Sequence, residues 1–215
     1  MIPRRLFPVL IASSLLAFAV APVCRAVGGP ALAAEAEEVK PLKPGALAPT
    51  AMLAGMDGRD FDLAGAFAAK PTVLIFYRGG WCPFCNRHLA ALADIEMELR
   101  ALGCQIIAVT PEPAAKLART AEANRLRYRL LSDSALRLTP AYGIAFRIPA
   151  ETGRAYREND IELTPVPDGH DYWLPVPSVF IVGRDGLIKF AYANPDPSVR
   201  IQNEELLAAV RAARL

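Results

Sequence analysis

Strand-like and helix-like segments alternate through the middle of this chain, and a hairpin signal followed by a closing helix ends it. Together these observations predict an α/β fold: a central sheet, partly parallel and partly antiparallel, flanked by helices. Of the 215 residues, about 180 lie beyond an apolar N-terminal stretch, enough for one domain with a sizeable core. No internal repeat at solenoid periods is present.

The elements follow in chain order. Residues 1–33 have the layout of a signal peptide: Arg4-Arg5, an apolar run from Leu6 to Val23, then Arg25 and small residues through Ala31-Leu32-Ala33-Ala34, with cleavage expected after Ala33. Arg4-Arg5-Leu6-Phe7 is similar to a twin-arginine signal. The alternative is an uncleaved N-terminal membrane anchor; Pro8, Pro22 and the Ala-x-Ala site favour cleavage, hence export, to the periplasm in a bacterium. Cys24 follows the bulky Val23, which argues against lipidation. Residues 34–44 are charged and proline-bearing and read as a linker, leaving 45–215 as the folded domain.

Thr50–Met56 and Phe61–Leu63 flank Asp57-Gly58-Arg59, a hairpin signal. A strand is expected at Thr72–Tyr77, a helix at Pro83–Leu102, a strand at Cys104–Thr110 and a helix at Pro113–Asn124. A short strand at Tyr128–Leu131 and a helix at Ser134–Tyr142 come next. Strands at Ser178–Val182 and Leu187–Tyr192, joined by Arg184-Asp185-Gly186, precede a last helix at Asn203–Ala213. Residues 146–176 break this rhythm, being rich in Pro, Gly and charge and too long for a plain connection. Glu151–Glu158 would supply a small helix there, and the segment is either a surface insertion or a lid over the site.

Charge excludes some function classes. Removing residues 1–33 removes Arg4, Arg5 and Arg25, leaving 21 basic against 22 acidic residues. No basic patch then argues for nucleic acid or for a membrane surface, and no stable membrane association is expected after cleavage.

The chemistry sits in Trp81-Cys82-Pro83-Phe84-Cys85. The β-branched and aromatic run Thr72–Tyr77 is broken by Arg78-Gly79-Gly80, and from Pro83 onward the apolar residues take helical spacing. Both thiols therefore fall at a helix N-terminus, where free N–H groups and the helix dipole favour an anion. The thiolate is the attacking form of cysteine, and this is where its pKa is lowered. Zinc is disfavoured, because His88 and His170 are the two histidines and neither is paired with a second cysteine set. No metal and no cofactor are expected. His88, three residues after Cys85, falls near the thiol on the same helix face and is expected exposed to solvent, its alternative being a catalytic part. Cys104, at the start of a second apolar strand, reads as a small buried hydrophobe, the alternative being a resolving thiol, for which a neighbouring strand gives poor reach to the helix cap.

Phe76-Tyr77-Arg78-Gly79-Gly80-Trp81-Cys82-Pro83-Phe84-Cys85-Asn86 resembles the active-site block of the peroxiredoxin-like group in the alkyl hydroperoxide reductase/thiol-specific antioxidant family. Lys43–Pro49, Leu130-Leu131-Ser132-Asp133, and Pro177–Val182 with Asp185-Gly186 agree with it. The resemblance covers about Pro44 to the C-terminus. It implies a thioredoxin fold with an N-terminal hairpin extension, a redox-active disulfide between Cys82 and Cys85, and a peroxide or protein-disulfide substrate with an external dithiol as reductant.

Two registers overlap on these residues. In the peroxiredoxin register Cys85 is the peroxidatic thiol, with Cys82 in the place of the usual Thr or Ser; in the thioredoxin register Cys82 attacks, preceded by Trp81. Peroxiredoxins carry an arginine before the strand that here begins at Ser178, where this chain has Pro177; thioredoxins carry a cis-proline there, so Pro177 is expected cis and close to the sulfurs. The buried acid that thioredoxins place six residues before the first cysteine is replaced by Phe76. Arg78 is the cation expected to stabilise the thiolate, its alternative being a surface salt bridge; Trp81 and Tyr77 are expected to support the site. The functional readings are a thiol peroxidase, a thiol–disulfide oxidoreductase, and a redox-inert binding module on the same fold.

Overall fold

The computed structural model describes residues 32–167, 169–213 and 215. The signal sequence, the Arg4-Arg5 pair and Cys24 lie outside the described residues.

The sheet is mixed, with seven strands: β1 (Met52–Gly55), β2 (Asp60–Asp62), β3 (Thr72–Phe76), β4 (Gln105–Thr110), β5 (Arg129–Ser132), β8 (Ser178–Val182) and β9 (Ile188–Ala193). Its order is β2-β1-β5-β4-β3-β8-β9, with β3, β4 and β5 parallel and the remaining pairs antiparallel. This is the expected thioredoxin-fold layout with a hairpin, β1–β2, added at one edge. The helices are α1 (Leu63–Ala69), α2 (Pro83–Asp94), α3 (Glu96–Ala101), α4 (Ala114–Ala123), α5 (Ala150–Arg157) and α6 (Asn203–Ala212). Central strand β3 is buried along its whole length and splits its side chains between two cores. Val73, Ile75 and Tyr77 join α2, α3 and α6 on one face; Leu74 and Phe76 join α1 and Tyr142 on the other.

Several expectations are corrected. The helix Ser134–Tyr142 is absent: only a 3-10 turn at Thr139–Tyr142 forms. Asp133 takes the N–H groups of Arg137, Leu138 and Thr139 on its carboxylate, and Leu136 sits at φ 56°, which together outcompete a helix. The long helix Pro83–Leu102 breaks at Ile95 (φ −100°, ψ 4°) into α2 and α3. Helix α1 was not legible from spacing; Asp62 caps it through Ala64 N–H. The stretch 34–44, expected as a linker, is hydrogen-bonded to the domain by Lys40 and Leu42, and Leu42 packs on the second core.

Residues 146–176 are an element in their own right. Strands β6 (Ala145–Ile148) and β7 (Tyr172–Pro175) pair antiparallel as a separate two-stranded sheet, and α5 lies between them in sequence. The helix expected at Glu151–Glu158 is thus displaced by a single residue.

Candidate active site

Cys82 is the N-cap of α2 and Pro83 its first residue, where a missing N–H costs nothing. The Cys82 Sγ accepts the Cys85 backbone N–H at 3.3 Å, and the Cys85 thiol donates to it with the sulfurs 2.7 Å apart. Both cysteines are reduced and buried. The first-turn geometry that lets a thiolate replace the usual capping oxygen is therefore present.

The two sulfurs are not equivalent. The Cys85 thiol and N–H that Cys82 accepts, with Arg78 and Arg200 nearby, bring the Cys82 pKa down to about 6 against the opposing effect of burial. Cys85 is pushed well up, first because its proton is held by Cys82, then by burial and by the neighbouring thiolate. Around neutral pH the charge rests on Cys82, and Cys85 keeps its proton.

The loop before the thiols is fixed from three sides. Glu112, just beyond β4, accepts the Gly80 N–H at 2.7 Å; Asn86 Nδ2 donates to the Gly80 carbonyl at 2.7 Å; Asn124 donates to Asn86. A Cβ at Gly79 would lie 2.3 Å from Trp81 Nε1, and one at Gly80 2.1 Å from Thr120 Oγ1, so neither position admits a side chain without a shift. Burial raises the Glu112 pKa, opposed by the Gly80 N–H and by Lys116.

Among the described residues Arg78 makes no salt bridge. Its guanidinium stacks over Trp81 at 5.0 Å and donates to Tyr156 Oη at 2.5 Å, and the Tyr156 ring meets Trp81 edge-on at 5.5 Å. Tyr156 belongs to α5, so the insertion lies against the aromatic wall of the site. Tyr77 is buried beside Glu112 and Cys85, its hydroxyl without a hydrogen-bond partner among the described residues; burial, then those two groups, holds its pKa well up.

Pro177 lies next to the Phe76–Ser178 pair at the start of β8, on the strand beside the one that delivers the thiols. It is trans: no described residue follows a cis bond. The expected cis-proline is thus corrected. Val176 N–H donates to the Ile144 carbonyl and Ser178 Oγ to the Val176 carbonyl, so this backbone is already engaged. His88 is also corrected. It is 8% exposed, not solvent-facing, and burial followed by Arg200 lowers its pKa to about 4.

Spacing did not reveal Arg200, which sits three residues before α6. Its guanidinium donates to Cys85 Sγ at 3.5 Å while bonding the Pro197 and Val199 carbonyls at 2.8 and 2.7 Å. A cation therefore faces the thiols from the C-terminal side, a position where no motif marks it.

Residues 44–191 match the model of the AhpC/TSA family. The chain belongs to that family. This AhpC/TSA protein is peroxiredoxin-like, within the thioredoxin superfamily. It is 29% identical over 106 residues to peroxiredoxin Bcp of Escherichia coli K12, a match covering 49% of this chain and 67% of that relative. In fold it resembles peroxidoxin BcpB of Mycobacterium tuberculosis, with a TM-score of 0.63 at 20% identity over 81% of this chain and 99% of that one. Reduced Prx3 of Vibrio vulnificus, solved in complex with H2O2, gives a TM-score of 0.63 at 20% identity, over 79% of this AhpC/TSA chain and 96% of its own.

Proposed function

We propose that this AhpC/TSA protein is an exported thiol peroxidase that reduces peroxides with the Cys82–Cys85 dithiol. The observation that carries this reading is the pair of reduced sulfurs 2.7 Å apart, one capping α2 with its pKa near 6 and the other protonated behind it. The Cys82 thiolate attacks the terminal oxygen of ROOH, the O–O bond breaks, and the leaving alkoxide takes a proton to give ROH. Cys82 is then a sulfenic acid. Cys85 attacks that sulfur, water leaves, and a disulfide closes within the first turn of α2. An external dithiol returns both residues to the reduced state by exchange. Arg78 and Arg200 stabilise the attacking anion, Trp81 and Tyr77 wall the site, and Pro177 leads into β8, the strand paired with the one that delivers the thiols.

Single-cysteine variants test the assignment. Cys82→Ser should abolish peroxide consumption, while Cys85→Ser should still form a sulfenic acid at Cys82, trappable by a dimedone-type reagent, and then over-oxidise. The rate of the native protein should rise as pH passes through 6 and level off above it, because the thiolate is the reactive form. The inverse pattern, with sulfenic acid on Cys85 in Cys82→Ser, would return the attack to the peroxiredoxin register.

The same asymmetry favours a second reading, direct exchange with protein disulfides, since a low-pKa outer thiol and a protonated inner one suit it equally. Cys85→Ser would then trap mixed disulfides at Cys82, and peroxide would react no faster than with a free thiol. Export rests on the charged, apolar and Ala-x-Ala pattern of residues 1–33. Cell fractionation with N-terminal sequencing tests it; a cytosolic product that keeps residues 1–33 would sink it.

A further inference from the structure

Beside the thiols lies a cavity of about 430 Å³ between α2 and the segment that leads into α6. Arg87 and His88 line it from α2, and Arg200, Asn203 and Glu204 from the other side. Its make-up favours an anion. Two guanidinium groups face one carboxylate, and the N-terminus of α6 has no side-chain cap on its free N–H groups. His88 is buried in its wall with Nε2 lacking a partner among the described residues. The cavity has room for a small organic molecule bearing a carboxylate or phosphate group.

Arg200 gives this cavity its consequence. One guanidinium lines the cavity and also donates to Cys85 Sγ at 3.5 Å. We propose that the cavity binds a small organic oxyanion, and that Arg200 couples its occupancy to the redox state of the Cys82–Cys85 pair. In the reduced protein Arg200 donates to the protonated Cys85 and stabilises the Cys82 thiolate behind it, so that thiolate and the bound anion compete for the same cation. Oxidation by a peroxide, in which two thiols and ROOH give a disulfide, ROH and water, removes the sulfur charge and frees Arg200 for the anion. By linkage, whatever tightens anion binding on oxidation also favours the disulfide. The coupling needs the dithiol–disulfide couple and holds whether peroxide or another disulfide oxidises it.

Titration calorimetry on the full chain at pH 8 tests this, with succinate and glycerol 3-phosphate as probes and succinamide and glycerol as neutral controls. Oxidised protein should bind at least one anion about fivefold or more tightly than reduced protein, the low end of usual coupling between sites. Which anion saturates distinguishes the carboxylate from the phosphate source. Arg87→Gln, which touches neither sulfur, should weaken binding in both states and leave thiol reactivity with an aromatic disulfide unchanged; Glu204→Gln should tighten it. Affinity equal in both redox states, equal saturation by the neutral analogues, or no saturable binding of either anion would each overturn the proposal. Peroxide turnover does not enter these readouts, so they stand or fall separately from the peroxidase reading.

Discussion

Cys82 and Cys85 share one helical turn, yet proton, helix cap and cations distribute unequally between them. The cysteines themselves were legible because a strand, a glycine break and a helix met at one place in the sequence. Arg200 was not, because it reaches Cys85 across 115 residues of chain and its loop is set by tertiary packing. The burial of His88 escapes spacing for the same reason: its place on α2 puts it on the thiol's side, and tertiary packing that spacing does not show buries it. That burial has a measurable consequence. With its folded pKa near 4, below the ordinary 6.5, His88 favours the folded state above pH 6.5, and this contribution is lost as pH falls from 6.5 to 4. The loss should be about 3 kcal/mol at most, seen as a falling denaturation midpoint. His88→Gln should flatten that part of the profile, and an unchanged profile would show that another group titrates there.

At the scale of elements, strands with strong β-branched runs and helices with clear spacing were read closely. The failures came where a side chain outbids the backbone ladder, as Asp133 does, or where strands are short and mixed in character, as β6 and β7 are. The small helix in the insertion was read to within a residue, and its effect on the site follows from one contact. Tyr156 holds the Arg78 guanidinium against Trp81 at the edge of the thiols. Tyr156→Phe removes the hydrogen bond while keeping the ring, so Arg78 loses its orientation and the cap keeps its shape. The Cys82 pKa should rise by up to about a unit, since Arg78 is one of several groups that lower it. The pH midpoint of thiol alkylation would move upward with the unfolding midpoint nearly unchanged. A loss of stability with no shift in that midpoint would assign Tyr156 to packing alone.

Across the whole molecule, the sheet separates chemistry from a second, independent core. Alternation along β3 sends Val73, Ile75 and Tyr77 to the face that holds both cysteines, and Leu74 and Phe76 to the face of Tyr142 and Phe180. Leu74 and Leu89 are both fully buried, one on each side. Truncating either to alanine should cost about 2–5 kcal/mol through lost contacts and a residual cavity. The two losses should add in the double variant, because the residues share no cluster. Their effects on the thiols should differ. Leu89→Ala opens space in the core that contains Cys85, easing the burial that holds its pKa up, so the second thiol ionisation should move to lower pH. Leu74→Ala should leave both ionisations in place despite a comparable loss of stability. Thiolate absorbance titrations of the two variants below their unfolding transitions would decide it: equal shifts in both would mean that the sheet transmits strain between its faces and that the two cores are one.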